Sequence, residues 1–313
     1  MCQNNETNFA EFVLLGISSF NDFRNLMFAF FLVLYTAVLS ENVFIVLLVS
    51  VSHHLKRPMY FFLKNLAIAD VLATTNAVAP LLYGIIRERE TISVSYCIFQ
   101  YYLLCFSGFA QSFLLTIMSF DRYLAICKPL SYVAIMNMKN CLHLVCLSWL
   151  VAFTLITCEI IMMYQLQFCD SNIIDHFICD IGPVAKISSS DTFVLLCYDF
   201  VLSMFFIFAP FILVIISYAG IIITILKMSS VIRRKKAFST CSSHLAVVCT
   251  YYGTLIAIYL VPSSSNLSEE NKFKTLLYTV LTPMVNPIIY CLRNNDIRSA
   301  INKLFHILKE NII

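Results

Sequence analysis

The sequence predicts an all-α membrane protein: a bundle of seven transmembrane helices followed by a short amphipathic C-terminal helix. Three observations carry that prediction. The 313 residues are 60% hydrophobic and 12% charged, against about 25% charged in soluble domains. Mean hydropathy is +0.82. Seven apolar runs recur, at Leu26–Val51, Met59–Ile86, Ile98–Ile126, Cys141–Met163, Phe193–Leu226, His244–Val261 and Phe273–Leu292, each close to or above the roughly 20 residues that a helix needs to cross hydrocarbon. The runs are continuously apolar, unlike the alternating segments of about ten residues in a membrane β-barrel. No solenoid-period repeat and no low-complexity linker divides the chain, so it reads as one bundle.

Residues 1–25 read as a tail. Met1–Arg24 is polar and acidic (Glu6, Glu11, Asp22) and lacks the basic and short apolar regions of a cleavable signal, which leaves the first span to start insertion. Residues 26–292 hold the spans. In residues 293–313, Ile297, Ala300, Ile301, Leu304, Phe305 and Leu308 repeat at helical spacing among Arg298, Lys303 and Lys309. That pattern predicts a helix lying along a membrane surface.

Lysine and arginine fix the expected orientation. With the N-terminus outside, 15 of the 21 fall on the inner side and 6 (Arg24, Arg87, Arg89, Lys186, Lys272, Lys274) on the outer. The positive-inside rule therefore predicts an extracellular N-terminus and a cytoplasmic C-terminus. The net charge of +3 is a topology signal and implies no nucleic-acid partner. The run Arg233-Arg234-Lys235-Lys236 suits a stop signal at anionic lipid and a partner-contact surface equally.

Most of the 13 cysteines lie within spans, where a free thiol behaves as a small hydrophobe. On this topology Cys2, Cys97, Cys169 and Cys179 face the oxidising side. A Cys97–Cys179 bridge would pin the long loop Tyr164–Thr192 over the bundle. Spacing alone fixes no connectivity, but the rival metal site finds a single loop histidine, His176, and no paired ligand spacing. Asn5-Glu6-Thr7 is a glycosylation sequon on the outer tail; Asn266-Leu267-Ser268 also fits the pattern but lies too close to the membrane.

The third span ends in Met118-Ser119-Phe120-Asp121-Arg122-Tyr123. Each charge would cost about 2.5–3.5 kcal/mol at the centre of a helix in hydrocarbon, so the pair points to a partner, a cavity or a switch. Arg122 shares a helical stripe with Met118, Leu115, Gln111, Gly108 and Leu104, which must face the bundle. Pro287 removes a helical hydrogen bond from the seventh span. The six histidines show no metal spacing on any span, and no nucleophile elbow or phosphate loop occurs, so an enzyme is not expected. A transporter would show inverted repeats and paired broken helices, and neither is found.

Five motifs carry a resemblance over essentially the whole chain. Lys56-Arg57-Pro58-Met59-Tyr60-Phe61-Phe62-Leu63 enters the second span. Asp121-Arg122-Tyr123-Leu124-Ala125-Ile126-Cys127 runs into Lys128-Pro129-Leu130-Ser131-Tyr132. Ser217-Tyr218 lies low in the fifth span, Lys236-Ala237-Phe238-Ser239-Thr240-Cys241-Ser242-Ser243-His244-Leu245 opens the sixth, and Pro283-Met284-Val285-Asn286-Pro287-Ile288-Ile289-Tyr290 closes the seventh. The chain resembles the rhodopsin-like G-protein-coupled receptors and, within them, the olfactory receptors.

The resemblance implies a plasma-membrane receptor for small, mainly apolar odorants. It would act through a stimulatory, olfactory-type heterotrimeric G protein to raise cyclic AMP, with no cofactor. A non-olfactory chemosensory receptor is the alternative, a transporter a remote one. By resemblance, Asp121 restrains Arg122 at rest, and activation frees it toward Tyr218 and Tyr290; Tyr123, Lys236, His244, Asn286 and Pro287 belong to the same coupling machinery. Asn42, Asp70 and Asn286 correspond to a buried polar network; Gln111 stands there where olfactory relatives usually have Glu, and Glu41, where many have Gly, adds an acid that either faces Asp70 or is protonated in a hydrogen bond. Related receptors hold a sodium ion at the second-span acid, and a sodium site near Asp70 and a purely structural network are both open. The pocket is expected from Leu104, Cys105, Gly108, Phe109, Ser112, Leu202, Ser203, Phe206, Tyr252, Leu255, Ile256, Tyr259 and Thr279. Leu104 stands where aminergic receptors have Asp, which disfavours an amine pocket of that type. Ser189 lies near where relatives usually place a further loop cysteine, so Cys169 is left without the partner that the resemblance would give it, and what it pairs with, if anything, is open.

Overall fold

The computed structural model describes residues 9–17, 23–87, 89–259, 267–293 and 296–303. In chain order its helices are α1 (Arg24–Val51), α2 (Pro58–Arg87), α3 (Val94–Cys127), α4 (Pro129–Ile135), α5 (Met138–Met163), α6 (Ile181–Ile187), α7 (Phe193–Lys227), α8 (Val231–Tyr259) and α9 (Leu267–Arg293), with a short helix over 296–303. The seven apolar runs fall on α1, α2, α3, α5, α7, α8 and α9, and these long helices form the bundle. Among the described residues, α1, α2, α3, α5 and α7 are long and apolar enough to cross a membrane.

The other two are helical beyond their apolar runs. α8 begins at Val231, not at His244, and α9 begins at Leu267, not at Phe273. A helix satisfies its own backbone wherever it runs, so Arg233–Lys235 and Glu269–Lys274 prolong their helices without belonging to the hydrocarbon-compatible part.

α3 is the central post, packed against α2, α5, α7 and α8. Its Leu115, Met118 and Gln111 stripe is buried as its periodicity requires. The exterior of α5 and α7 is apolar: Leu147, Leu150, Phe153, Phe200, Val201 and Ile216 all face outward. Such a surface suits lipid and would be unusually apolar for water.

Residues 9–17 are more ordered than a polar tail. β1 (Glu11–Leu14) lies between β2 (Glu90–Ser93), antiparallel, and β3 (Ile173–Ile174), parallel. Phe12 and Leu14 point inward and are buried, the period-2 alternation of a half-buried strand, and Phe12 packs edge-on against Phe168 at 4.8 Å. Gly16, at φ +67°, turns the chain away after the strand in a conformation that disfavours side chains.

Cys97 at the start of α3 and Cys179 in the loop form a disulfide with Cα atoms 5.3 Å apart. Cys169, whose pairing the sequence leaves open, is disulfide-bonded. Ser189 still closes this part of the loop by hydrogen bonds, accepting from the Cys169 amide at 3.0 Å and donating to Asp170 at 2.9 Å. In the 296–303 helix Ile297 and Ala300 are buried while Asp296 and Arg298 are exposed, as an amphipathic helix requires. Asn5, Asn266, Leu304, Phe305 and Leu308 lie outside the described residues.

Candidate functional site

A cavity of about 620 Å³ opens at the disulfide end of the bundle, walled by α3, α7, α8, α9 and the loop that Cys179 pins. Its volume is that of a small-molecule site. Phe109 on α3 and Phe206 on α7 stack with ring centroids 3.8 Å apart and an interplanar angle of 5°. With Ile207 and Leu255 they supply the apolar wall. Gly108 lets α9 approach: a Cβ there would stand 3.0 Å from the Tyr278 hydroxyl, and Tyr251 donates to the Gly108 carbonyl at 2.9 Å.

Eight of the thirteen residues expected at a pocket line this cavity: Leu104, Cys105, Gly108, Phe109, Ser203, Phe206, Leu255 and Thr279. Ser112 and Tyr252 do not. They sit beneath the floor, where the Ser112 hydroxyl lies 2.8 Å from the Phe206 carbonyl and 3.2 Å from the Tyr252 hydroxyl. Leu202 is buried but does not reach the cavity, and Ile256 is exposed on the outer face of α8. The side chain of Tyr259 lies outside the described set.

Sequence reasoning missed the roof. Ile173, Asp175, His176, Ile178, Asp180, Pro183 and Lys186 all come from the loop, whose course follows no periodicity. The roof is tied to α9 by Lys272, 2% exposed, which meets Asp175 at 2.6 Å and Glu269 at 2.7 Å. His176 accepts from the Ile178 amide through Nδ1 at 3.2 Å, and burial holds its pKa below the ordinary value. Also missed were Glu159 and Asp199, acids within α5 and α7 beside the cavity. Their signal was available: an ionisable residue within a span is a functional candidate by default.

A polar network occupies the middle of the bundle. Gln111 and Asn286 donate to the two oxygens of Asp70 at 2.9 and 3.0 Å. Asn42 donates to the carbonyls of Val38 and Pro283 at 3.0 and 3.1 Å. Glu41 does not join: its Oε2 is buried with no hydrogen-bond partner, because consecutive residues on a helix point in different directions. The Oδ1 atoms of Asn42 and Asn286 are buried without donors.

At the opposite end of the bundle from the disulfide, Arg122 pairs with Asp121 at 3.0 Å, the acid being fully buried. Tyr132 on α4 donates to the other oxygen of Asp121 at 3.0 Å. The Tyr218 hydroxyl lies 2.7 Å from Nδ1 of His244, and the Arg122 charge acts on Tyr218, His244 and Tyr290. The Tyr290 hydroxyl and Arg122 Nε have no hydrogen-bond partner. Tyr123 lies against Gly220 of α7. Pro287 lies within α9. The Lys236 side chain lies outside the described set.

Comparison with known proteins bears on both ends of the bundle. The family model for the 7 transmembrane receptors (rhodopsin family) matches residues 41–290. Olfactory receptor 10A7 of Homo sapiens is 43% identical over 303 residues, covering 97% of this chain and 96% of that one. Olfactory receptor 6C2 of Homo sapiens is 43% identical over 296 residues, 95% of each chain. Olfactory receptor 1M1 of Mus musculus is 40% identical over 302 residues, 96% of each.

Proposed function

Because the chain belongs to the olfactory receptors of the rhodopsin family of seven-transmembrane receptors, we propose that the cavity at its disulfide end takes a small, mainly apolar odorant. We infer that its occupancy is transmitted to Arg122 and thence to a stimulatory heterotrimeric G protein, raising cyclic AMP. The protein is a signalling receptor, not an enzyme. Lysine and arginine placement supports an extracellular N-terminus and a cytoplasmic Arg122 end in the plasma membrane, and Asn5 is then open to glycosylation.

The observation that carries the reading is the pairing of two sites in one helix. α3 contributes Leu104, Cys105, Gly108 and Phe109 to the cavity and Arg122 to the restrained ion pair. A ligand shifts such a protein only if it binds the active arrangement better than the resting one. Asp121, held by Tyr132, restrains Arg122. Tyr218, His244 and Tyr290 stand ready to receive it, and Tyr123, Lys236, Asn286 and Pro287 belong to the moving region. Asp70, Asn42 and Asn286 present oxygens that could hold a sodium ion in the resting receptor; their donor set fits a hard monovalent cation.

The test is a cell-surface assay of cyclic AMP against a diverse odorant panel, with Arg122→Ala as the control. A dose-dependent response that vanishes in the variant is expected. A response that survives in both Arg122→Ala and Tyr218→Phe would overturn the reading.

A further inference from the structure

Two acids, Glu159 of α5 and Asp199 of α7, stand behind the cavity-lining Tyr101 and Ser203, and a third, Asp180, lines the cavity itself. Tyr101 donates its hydroxyl to Oε1 of Glu159 at 2.9 Å; Glu159 is fully buried, and its Oε2 has no partner. Asp199 lies one turn before Ser203 on α7 and faces both Ser203 and Tyr101. Asp180, next to the bridged Cys179, is near enough to act on both other acids, and one of its oxygens caps α6 at the Ile181 amide, 2.9 Å away. Tyr101, Asp180 and Ser203 line the cavity. Among the described residues, none of the three carboxylates forms an ion pair.

Acids at membrane depth almost always pair with something, and neighbouring carboxylates resist joint ionisation. A cation entering from the cavity relieves both costs and gives the orphaned Glu159 oxygen a positive field. We propose, building on the receptor reading above, that the cavity takes a ligand bearing a protonated amine, with its charge between Asp180, Asp199 and Tyr101 and its hydrocarbon against Phe109 and Phe206. The anchoring acids are then on α7 and the loop, not at the Leu104 position of α3. A carboxylate ligand is disfavoured. It would have to be held by Lys186, since Lys272 is engaged by Asp175 and Glu269, and on the Tyr101 side it would meet acids rather than bases.

The test uses the purified full-length receptor in lipid nanodiscs and reads its apparent melting temperature. Butyl, hexyl, octyl and phenethyl amines are titrated against the alcohols and carboxylic acids of the same skeletons. At least one amine should stabilise the receptor at concentrations about tenfold or more below its matched alcohol and acid. Asp199→Asn should weaken that amine by about a hundredfold, as expected for loss of a buried charge partner, and Asp199→Glu, which keeps the charge, should restore most of it. Glu159→Gln should weaken it less. Equal or better stabilisation by an alcohol or acid, absence of any amine effect, or amine binding indifferent to Asp199→Asn overturns the proposal. Cyclic AMP signalling with the Arg122→Ala control, read in parallel, separates this failure from failure of the receptor reading.

Discussion

The side-chain amide of Asn42 on α1 donates to the main-chain carbonyl of Pro283 on α9 at 3.1 Å. That carbonyl is the one Pro287, four residues on, would have bonded had it an N–H. Asn42 therefore repairs a defect that a proline opens in another helix, and it fastens α1 to the segment of α9 that also carries Asn286 to Asp70.

Replacing Asn42 with Ala should lower stability by about 0.6–2 kcal/mol, the span for interhelical hydrogen bonds in membranes. Pro287→Ala restores the internal donor, so the same Asn42→Ala change should cost much less in that background. A double-mutant cycle on melting temperature reads the coupling; additive effects would show that the bond does not serve this purpose.

Gly220 on α7 gives a second test of sign. A Cβ there would stand 2.7 Å from the ring of Tyr123, beside the Asp121–Arg122 pair. Gly220→Ala should gain about 1 kcal/mol of helix propensity and lose about 1–3 kcal/mol to overpacking, a net loss. With Tyr123→Ala the clash is gone, and the same substitution should become stabilising. A substitution that destabilises equally in both backgrounds would show that Tyr123 is not the obstacle.

The sequence made the bundle legible because each run of apolar residues has one use in a bilayer, and α3's polar stripe could face only inward. It made the ends less legible. Hydropathy cannot see that α8 continues through Arg233–Lys235, since helical hydrogen bonding is indifferent to charge. β1 did leave a trace, in the alternation of Phe12 and Leu14, but its partners Glu90–Ser93 and Ile173–Ile174 lie far away in the chain. The cavity divides the same way. Phe109, Ser203, Phe206 and Thr279 follow from their positions in the resemblance to the receptor family, whereas Asp175, His176 and Asp180 are brought over the cavity by the Cys97–Cys179 bridge and by Lys272.

Lys272 gives the test of that roof. Lys272→Met should leave Asp175 and Glu269 facing each other without their shared cation. We expect a loss of about 1–3 kcal/mol, less than for a fully buried pair because Asp175 is half exposed, and faster proteolysis within the loop. Asp175→Asn should recover part of the loss in the Lys272→Met chain. Loop cleavage unchanged in Lys272→Met would mean the disulfide alone holds the roof.

His176 should make the roof sensitive to acid. Burial disfavours its charged form, as does the Lys272 charge, while Asp180 and Asp175 pull the other way; the net is a pKa below the free value of 6.5. The unfolded chain therefore takes up a proton near that value before the native one does. Stability from the neutral ring is full above 6.5 and is lost as pH falls through the lower folded pKa. Glu90 in β2 carries the opposite slope, because burial pushes it up to about 7 from 4.5. Its contribution is full below 4.5 and is lost as pH rises through about 7. Melting temperature is measured from pH 7.5 downward in a Glu90→Gln chain, which removes that opposing slope, with and without His176→Gln. It should fall with acid there and lose that slope when His176→Gln is added. A slope that persists in the double variant would assign the acid sensitivity to another group.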